Sequence, residues 1–98
     1  MADELKLRKQ AERGARAEAL MNNDLLQEAF DKIESALMDE WRNTGAEDGQ
    51  RREDAWRSHK LLQNLKGYLK KVVIDGAAAN KQLLQIKQPT LVDKVLNR

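Results

Sequence analysis

Leu26, Phe30, Ile33, Leu37 and Trp41 recur at spacings of four, three, four and four, and this stripe restricts the chain to helical architecture more than any other feature. Such spacing returns side chains to one face of an α-helix, whereas a half-buried strand needs strict alternation, which no part of the chain offers. Ala, Leu, Lys, Glu, Gln and Arg dominate the rest, all good helix formers, and the only proline is Pro89. An all-α fold follows.

The start and stop signals predict an antiparallel helical hairpin, with arms at about 24–43 and 53–75. Asp24 is placed as N-cap, with Gln27 three residues on to close a capping box. Thr44-Gly45 is expected to stop the first arm. The segment Thr44–Arg52, with two glycines and no large apolar residue, is the connecting loop. On the second arm Leu62, Leu65, Leu69, Val72 and Val73 form one apolar stripe. Leu61, Leu65, Tyr68 and Val72 form another beside it. The combined face is wider than one partner helix covers, which predicts a third helix or a neighbouring subunit. Leu61, Leu65, Tyr68, Val72, Leu83 and Ile86 are therefore the expected oligomer interface.

The flanks of the hairpin are simpler. Residues 1–21 read as an N-terminal helix or arm, with Ala11, Ala15 and Ala19 in a narrow stripe above Leu7. Gly14 weakens its middle by about 1 kcal/mol relative to alanine. Asp75-Gly76 is expected to end or kink the second arm. Residues 77–98 then form short helices: one carries Leu83, Leu84 and Ile86 and stops at Pro89, and the last is capped by Thr90 and Asp93 and carries Leu91, Val92, Val95 and Leu96. Together, residues 1–98 make a single helical domain. Thirty-five per cent of the residues are charged and four are aromatic, so one copy builds only a thin core. With no cysteine to staple it, oligomerisation is the expected route to stability.

Charge is distributed unevenly. Residues 1–49 carry seven Lys/Arg against twelve Asp/Glu, and residues 50–98 carry eleven against four. Two oppositely charged helices lying side by side account for the split, and a nucleic-acid surface on the basic half is the other account. Charges interrupt the apolar pairs of MADELKLRKQ, so no export signal is read there, and no apolar run approaches the roughly 18 residues of a membrane span. The default expectation is cytoplasmic, in a host cell or a virion if the chain is phage-encoded.

Catalytic chemistry finds little footing. The only histidine, His59, falls on a polar stripe with Gln63, Lys66 and Lys70, and reads as a solvated residue of a basic face. One histidine and no cysteine exclude the usual zinc sets. The loop lacks both the alternating acids of a calcium hand and the Lys-Ser/Thr pair of a phosphate loop. The chain is expected not to be an enzyme and to need no cofactor or metal.

Two constellations suit binding. Trp41 closes one arm and Trp56 opens the next, with Arg42, Arg51, Arg52 and Arg57 nearby. Aromatic side chains with arginines can stack bases and hold phosphates, although two tryptophans plugging a hairpin end explains the same residues without a ligand. The second is a basic face of Arg57, Lys60, Lys66, Lys70 and Lys71, continued by Lys81 and Lys87, suited to non-specific contact with a phosphate backbone.

The stretch AERGARAEALMNNDLLQEAF, followed by DEWRNTG, RREDAW and LKKVVIDG, resembles small helical proteins of unassigned function encoded by tailed phages and prophages. The resemblance covers residues 11–76 and supplies no site residues. It implies a phage setting, in which short helical proteins act as assembly factors or as antagonists of host defence. On that basis the chain is expected to be an oligomeric particle-assembly or DNA-packaging component, a small-terminase-like oligomer or a virion or scaffold protein. Its partners would be itself and other phage structural or packaging proteins. The alternative is an anti-defence protein that sequesters an anionic nucleotide signal between subunits.

Overall fold

The computed structural model describes the backbone of residues 2–96 and the side chains of residues 3–86. Among the described residues the chain is all-α, with three helices and no strand: α1 (Ala2–Met21), α2 (Asp24–Arg42) and α3 (Gly49–Leu96). The short C-terminal helices expected after residue 76 are absent as separate elements, because α3 runs unbroken through Gly76 and Pro89. The side chains of Lys87, Thr90, Leu91, Val92, Asp93, Val95 and Leu96 lie outside the described residues. The fold divides into two compact units, Leu20–Leu69 and a second formed by Met1–Ala19 with Lys70–Arg98.

In the unit of residues 20–69, α2 begins one residue earlier in capping terms than the sequence suggests. Asn23, not Asp24, is the N-cap, and its side-chain oxygen accepts from the Leu26 N–H at 2.9 Å. Gln27 does not close a capping box. Its amide donates to the Met21 carbonyl at 2.7 Å and so ties the helix start to the segment before it. At the other end Asn43 caps in a right-handed conformation, and no glycine among the described residues has a positive φ. The helix is stopped by side chains instead of a left-handed glycine: the Thr44 hydroxyl donates to the Trp41 carbonyl at 2.6 Å. Arg52 then donates to the Thr44 hydroxyl at 3.2 Å and to the Gly45 carbonyl, and Asp48 accepts from the Gly45 N–H at 3.1 Å. These bonds shorten the loop, so that α3 starts at Gly49 and not at residue 53.

Across the loop α2 and the first part of α3 run antiparallel. Near the loop Glu40 meets Arg51 at 2.7 Å, and farther away Glu34 meets Lys66 at 3.6 Å and accepts from Gln63 at 3.3 Å. The inward positions of α3 here are Arg52, Ala55, His59, Leu62, Lys66 and Leu69, at alternating spacings of three and four. Ala55 and Leu62 are buried. From α2, Leu26, Phe30, Glu34 and Leu37 face them half-buried, and no residue of α2 is fully buried. The expected stripe is therefore rotated: Ile33 and Trp41 lie about half exposed, and Glu34 takes an inward place.

In the other unit the contact residues are small. Gly14, Ala17, Gly76 and Ala79 are buried, and Leu7, Gln10 and Ala11 are half-buried. A Cβ added to Gly14 would stand 2.6 Å from the Gly76 Cα and 3.2 Å from the Val72 carbonyl oxygen. Neither neighbour is a side chain that can swing away, so α1 and α3 cross there backbone against backbone. The stripe expected of Ala11, Ala15 and Ala19 is displaced, because Ala15 and Ala19 are exposed. Gly14 is the contact itself, and Gly76 neither ends nor kinks α3.

Outer faces carry ion pairs of one orientation. Glu4–Arg8, Glu12–Arg16, Glu28–Lys32 and Glu53–Arg57 each place the acid four residues before the base, the favourable order on a helix. All are exposed, and each contributes a few tenths of a kcal/mol, at about 0.3–0.5.

Candidate functional site

The loop end of the hairpin brings the two tryptophans together. Trp41 comes from the last turn of α2 and Trp56 from the second turn of α3, and the antiparallel register sets them beside one cleft. Leu37, Met38, Ala55 and His59 complete its lining, and its volume is about 130 Å³. Ala55 matters because a small residue beneath the indoles leaves the space open. Trp41 is 48% exposed and Trp56 57%. The indoles thus form walls and stay half open to solvent.

His59 is not the solvated residue of a basic face that its sequence stripe suggests. It sits on the inward seam of α3, half-buried, and its Nδ1 is shielded from solvent with no hydrogen-bond partner. Its stripe neighbours Gln63 and Lys66 are drawn inward too, toward Glu34. Lys66 also lies 5.9 Å from the centre of the Phe30 ring, a cation–π contact. Acidic Glu34 on the inward side of α2 is what turns this polar stripe inward.

The arginines expected around the indoles have other engagements. Arg51 is bound to Glu40 at 2.7 Å and lies 3.6 Å from Asp48. The hydrogen bond and the charge of Glu40 raise its pKa further above its ordinary value. Arg52 is committed to the loop, and Arg57 pairs with Glu53 at 2.7 Å. Arg57 also follows Trp56 directly, which turns it about 100° away around the helix. Arg42 is exposed at the end of α2. Of the expected basic face, Lys60, Lys70, Lys71 and Lys81 are exposed, whereas Lys66 is not part of it.

The side of the hairpin away from the cleft is apolar in its part remote from the loop, and nearer the loop helical rotation puts Glu40, Arg51 and Asp54 on it. Met38 and Trp56 mark the cleft side. Ile33 lies about 140° around α2 from Met38, and Leu65 about 180° around α3 from Trp56. Leu25, Ala29, Leu61 and Tyr68 fall on the same far side by the same rotation. Leu25 is 73% exposed, Leu61 71%, and Ile33, Leu65 and Tyr68 about half. Three expected interface residues, Leu61, Leu65 and Tyr68, thus share one surface of this unit. Val72, Leu83 and Ile86 belong to the other unit, where Val72 and Leu83 are half-buried and Ile86 is exposed.

Sequence reasoning missed Met38, Ala55 and His59 as cleft residues and Leu25 and Ile33 as surface. The available signal was the register: three residues separate Met38 from Trp41, and three separate Trp56 from His59, so a hairpin brings all four to one end. Among the described residues no group of three or more His, Asp and Glu could hold a metal ion, and no helix is long and apolar enough to cross a membrane. No protein-family model, no curated protein and no solved structure matches the chain.

Proposed function

We propose that the chain acts by binding and not by catalysis, as a homo-oligomer whose hairpins pack through the face of Leu25, Ile33, Leu61, Leu65 and Tyr68. One observation carries this: α2 buries no residue completely, while the large apolar side chains of that face are exposed. Scattered exposed apolar residues need no explanation, but a contiguous patch spread over two helices marks an interaction surface. A second copy is the occupant we propose, because two identical apolar faces related by a two-fold axis are complementary to each other. Two such faces brought together form a four-helix arrangement centred on Leu, Ile and Tyr side chains, with the internally paired Glu40 and Arg51 toward the loop.

The biological setting we propose, phage particle assembly or DNA packaging, rests on the resemblance of residues 11–76 stated above. A helical multimer would repeat its exposed lysines, Lys60, Lys70 and Lys71, around the assembly, which favours non-specific backbone contact with DNA. Engagement of Arg51, Arg52 and Arg57 within the chain makes sequestration of an anionic nucleotide the weaker alternative.

The test is mass in solution by light scattering. Wild type should be a multimer at tens of micromolar, and Leu65→Lys should reduce it to monomer while keeping its helical circular dichroism. A wild-type monomer at that concentration sinks the proposal. So does a Leu65→Lys variant of unchanged mass.

A further inference from the structure

The face proposed for self-association has two unlike ends. Near the loop it carries Glu40, Arg51 and Asp54. Away from the loop it carries Leu25, Ala29, Leu65 and Tyr68, all exposed. There an open groove of about 300 Å³ is lined by Leu20, Asn23, Leu25, Leu26 and Ala29. Resting on self-association through this face, we propose that two copies pair about a two-fold axis running along the hairpins. Each copy then seats its Tyr68 in the Leu20–Ala29 groove of the other.

A two-fold axis between two such faces runs either along the hairpins or across them. Along them, it sets the loop ends side by side and lays α2 of each copy on α3 of the other. Across them, it sends the loop ends to opposite ends and lays α2 on α2 and α3 on α3. Charge favours the first arrangement. Six acids and two bases lie on α2, whereas residues 50–69 of α3 carry five bases and two acids. Laid on α3, α2 brings its exposed Asp39 toward the partner's Arg57, and unlike flanks meet. Laid on α2, it would set acid against acid.

Polarity along the face points the same way. With loop ends together, the Glu40–Arg51 pair of one copy meets that of the other, with charges alternating. With loop ends apart, the same pair would press onto the partner's Leu25 and Tyr68 and lose water without gaining a partner. Shape agrees as well. The contacts of Glu40 with Arg51 and of Glu34 with Gln63 and Lys66 set the register of the hairpin and bring Ala29 level with Tyr68. An axis along the hairpins keeps each residue at its height, so the partner's Tyr68 arrives at Ala29 and its groove. A cavity of roughly 150 Å³ admits a benzene ring, and this groove has room for the tyrosine ring.

The chain has no cysteine, so single cysteines report positions cleanly. At Gly45, in the loop, an added Cβ meets only the Asp48 carboxylate at 3.8 Å, an ordinary contact. Full-length Gly45→Cys carrying a nitroxide should have the mass of two chains by light scattering. Its two labels should lie about 20 Å apart, two helix diameters, by pulsed electron resonance. The 19 residues of α2 span about 28 Å, so an axis across the hairpins would give about 30 Å or more. That longer distance overturns the inference and leaves self-association standing, and so does a mass above two chains. A mass of one chain sinks the self-association reading with it. Cross-linking tests the groove. Leu25→Cys protein mixed with nitrogen-15-labelled Tyr68→Cys protein and glutathione disulfide should give the mixed covalent dimer, identified by mass. Both positions are exposed, so helical circular dichroism should not change. Leu25→Cys mixed with Glu40→Cys is the control, because that pair meets only across the other axis. Cross-linking of the control pair, or of neither pair, overturns the inference.

Discussion

Gly14 and Gly76 let α1 and α3 meet backbone to backbone, whereas Phe30, Leu37 and Leu62 hold α2 off another part of α3 at the length of their side chains. The unit containing the glycines buries only small groups, among them Ala17 and Ala79. It gains close approach and a fixed crossing point, and little apolar area. The unit of residues 20–69 uses larger side chains and two ion pairs between helices, and leaves leucines, an isoleucine and two tryptophans at its surface. Small contacts fix register tightly and leave no room for substitution. Large contacts supply burial and leave surface over, and it is there that the proposed self-association face lies.

The largest test of this contrast is in the second unit. Leu62 is 8% exposed and Leu61 71%, although they are neighbours. Leu62→Ala should destabilise the protein by about 2–4 kcal/mol, the range for a large buried aliphatic side chain cut to alanine. Leu61→Ala should change urea stability by less than about 0.5 kcal/mol in dilute protein, where its face is open. At concentrations that favour the oligomer the Leu61 variant should lose more. Equal losses for both variants in dilute protein would contradict the seam described here.

Next comes the glycine crossing. Gly14→Ala improves intrinsic helix propensity by about 1 kcal/mol, yet its methyl group would meet the Gly76 backbone at 2.6 Å. Forcing the helices apart costs about 1–3 kcal/mol, so a net loss of about 1–2 kcal/mol is expected, read from the thermal midpoint by circular dichroism. A stabilised Gly14→Ala variant would mean that the helices do not touch at that point.

These residues also show how far the sequence could be read. Helix class, the break near Asn23 and the hairpin of acidic and basic arms follow from spacing and capping residues, and those depend on local chemistry. The exposed Leu61, Leu65 and Tyr68 stripe was legible as well, because its width exceeded what one partner helix covers. Gly14 and Gly76 were misjudged as a weak point and a stop. Their role depends on contact between residues sixty-two positions apart in the chain, which no local pattern encodes. A glycine within an otherwise helical run is itself a hint of close packing, but it does not name the partner. The cleft escaped notice because Met38, Ala55 and His59 acquire meaning only once the register of the hairpin is fixed. His59 in particular looks like a member of a basic stripe until Glu34 is seen to draw that stripe inward.

The smallest expected effect has the opposite sign. Gly67 lies within α3, in the same unit as the leucine seam, and a Cβ built there meets nothing within 4 Å. Only the flexibility of the unfolded chain and helix propensity are then at issue, so Gly67→Ala should stabilise the protein by about 0.5–1 kcal/mol. The same substitution thus lowers stability at position 14 and raises it at position 67, and urea midpoints measured side by side decide the matter. Should both stabilise, the close crossing of α1 and α3 is absent in solution. Should both destabilise, a neighbour covers Gly67 in the assembled protein, and dilution to monomer should restore the gain.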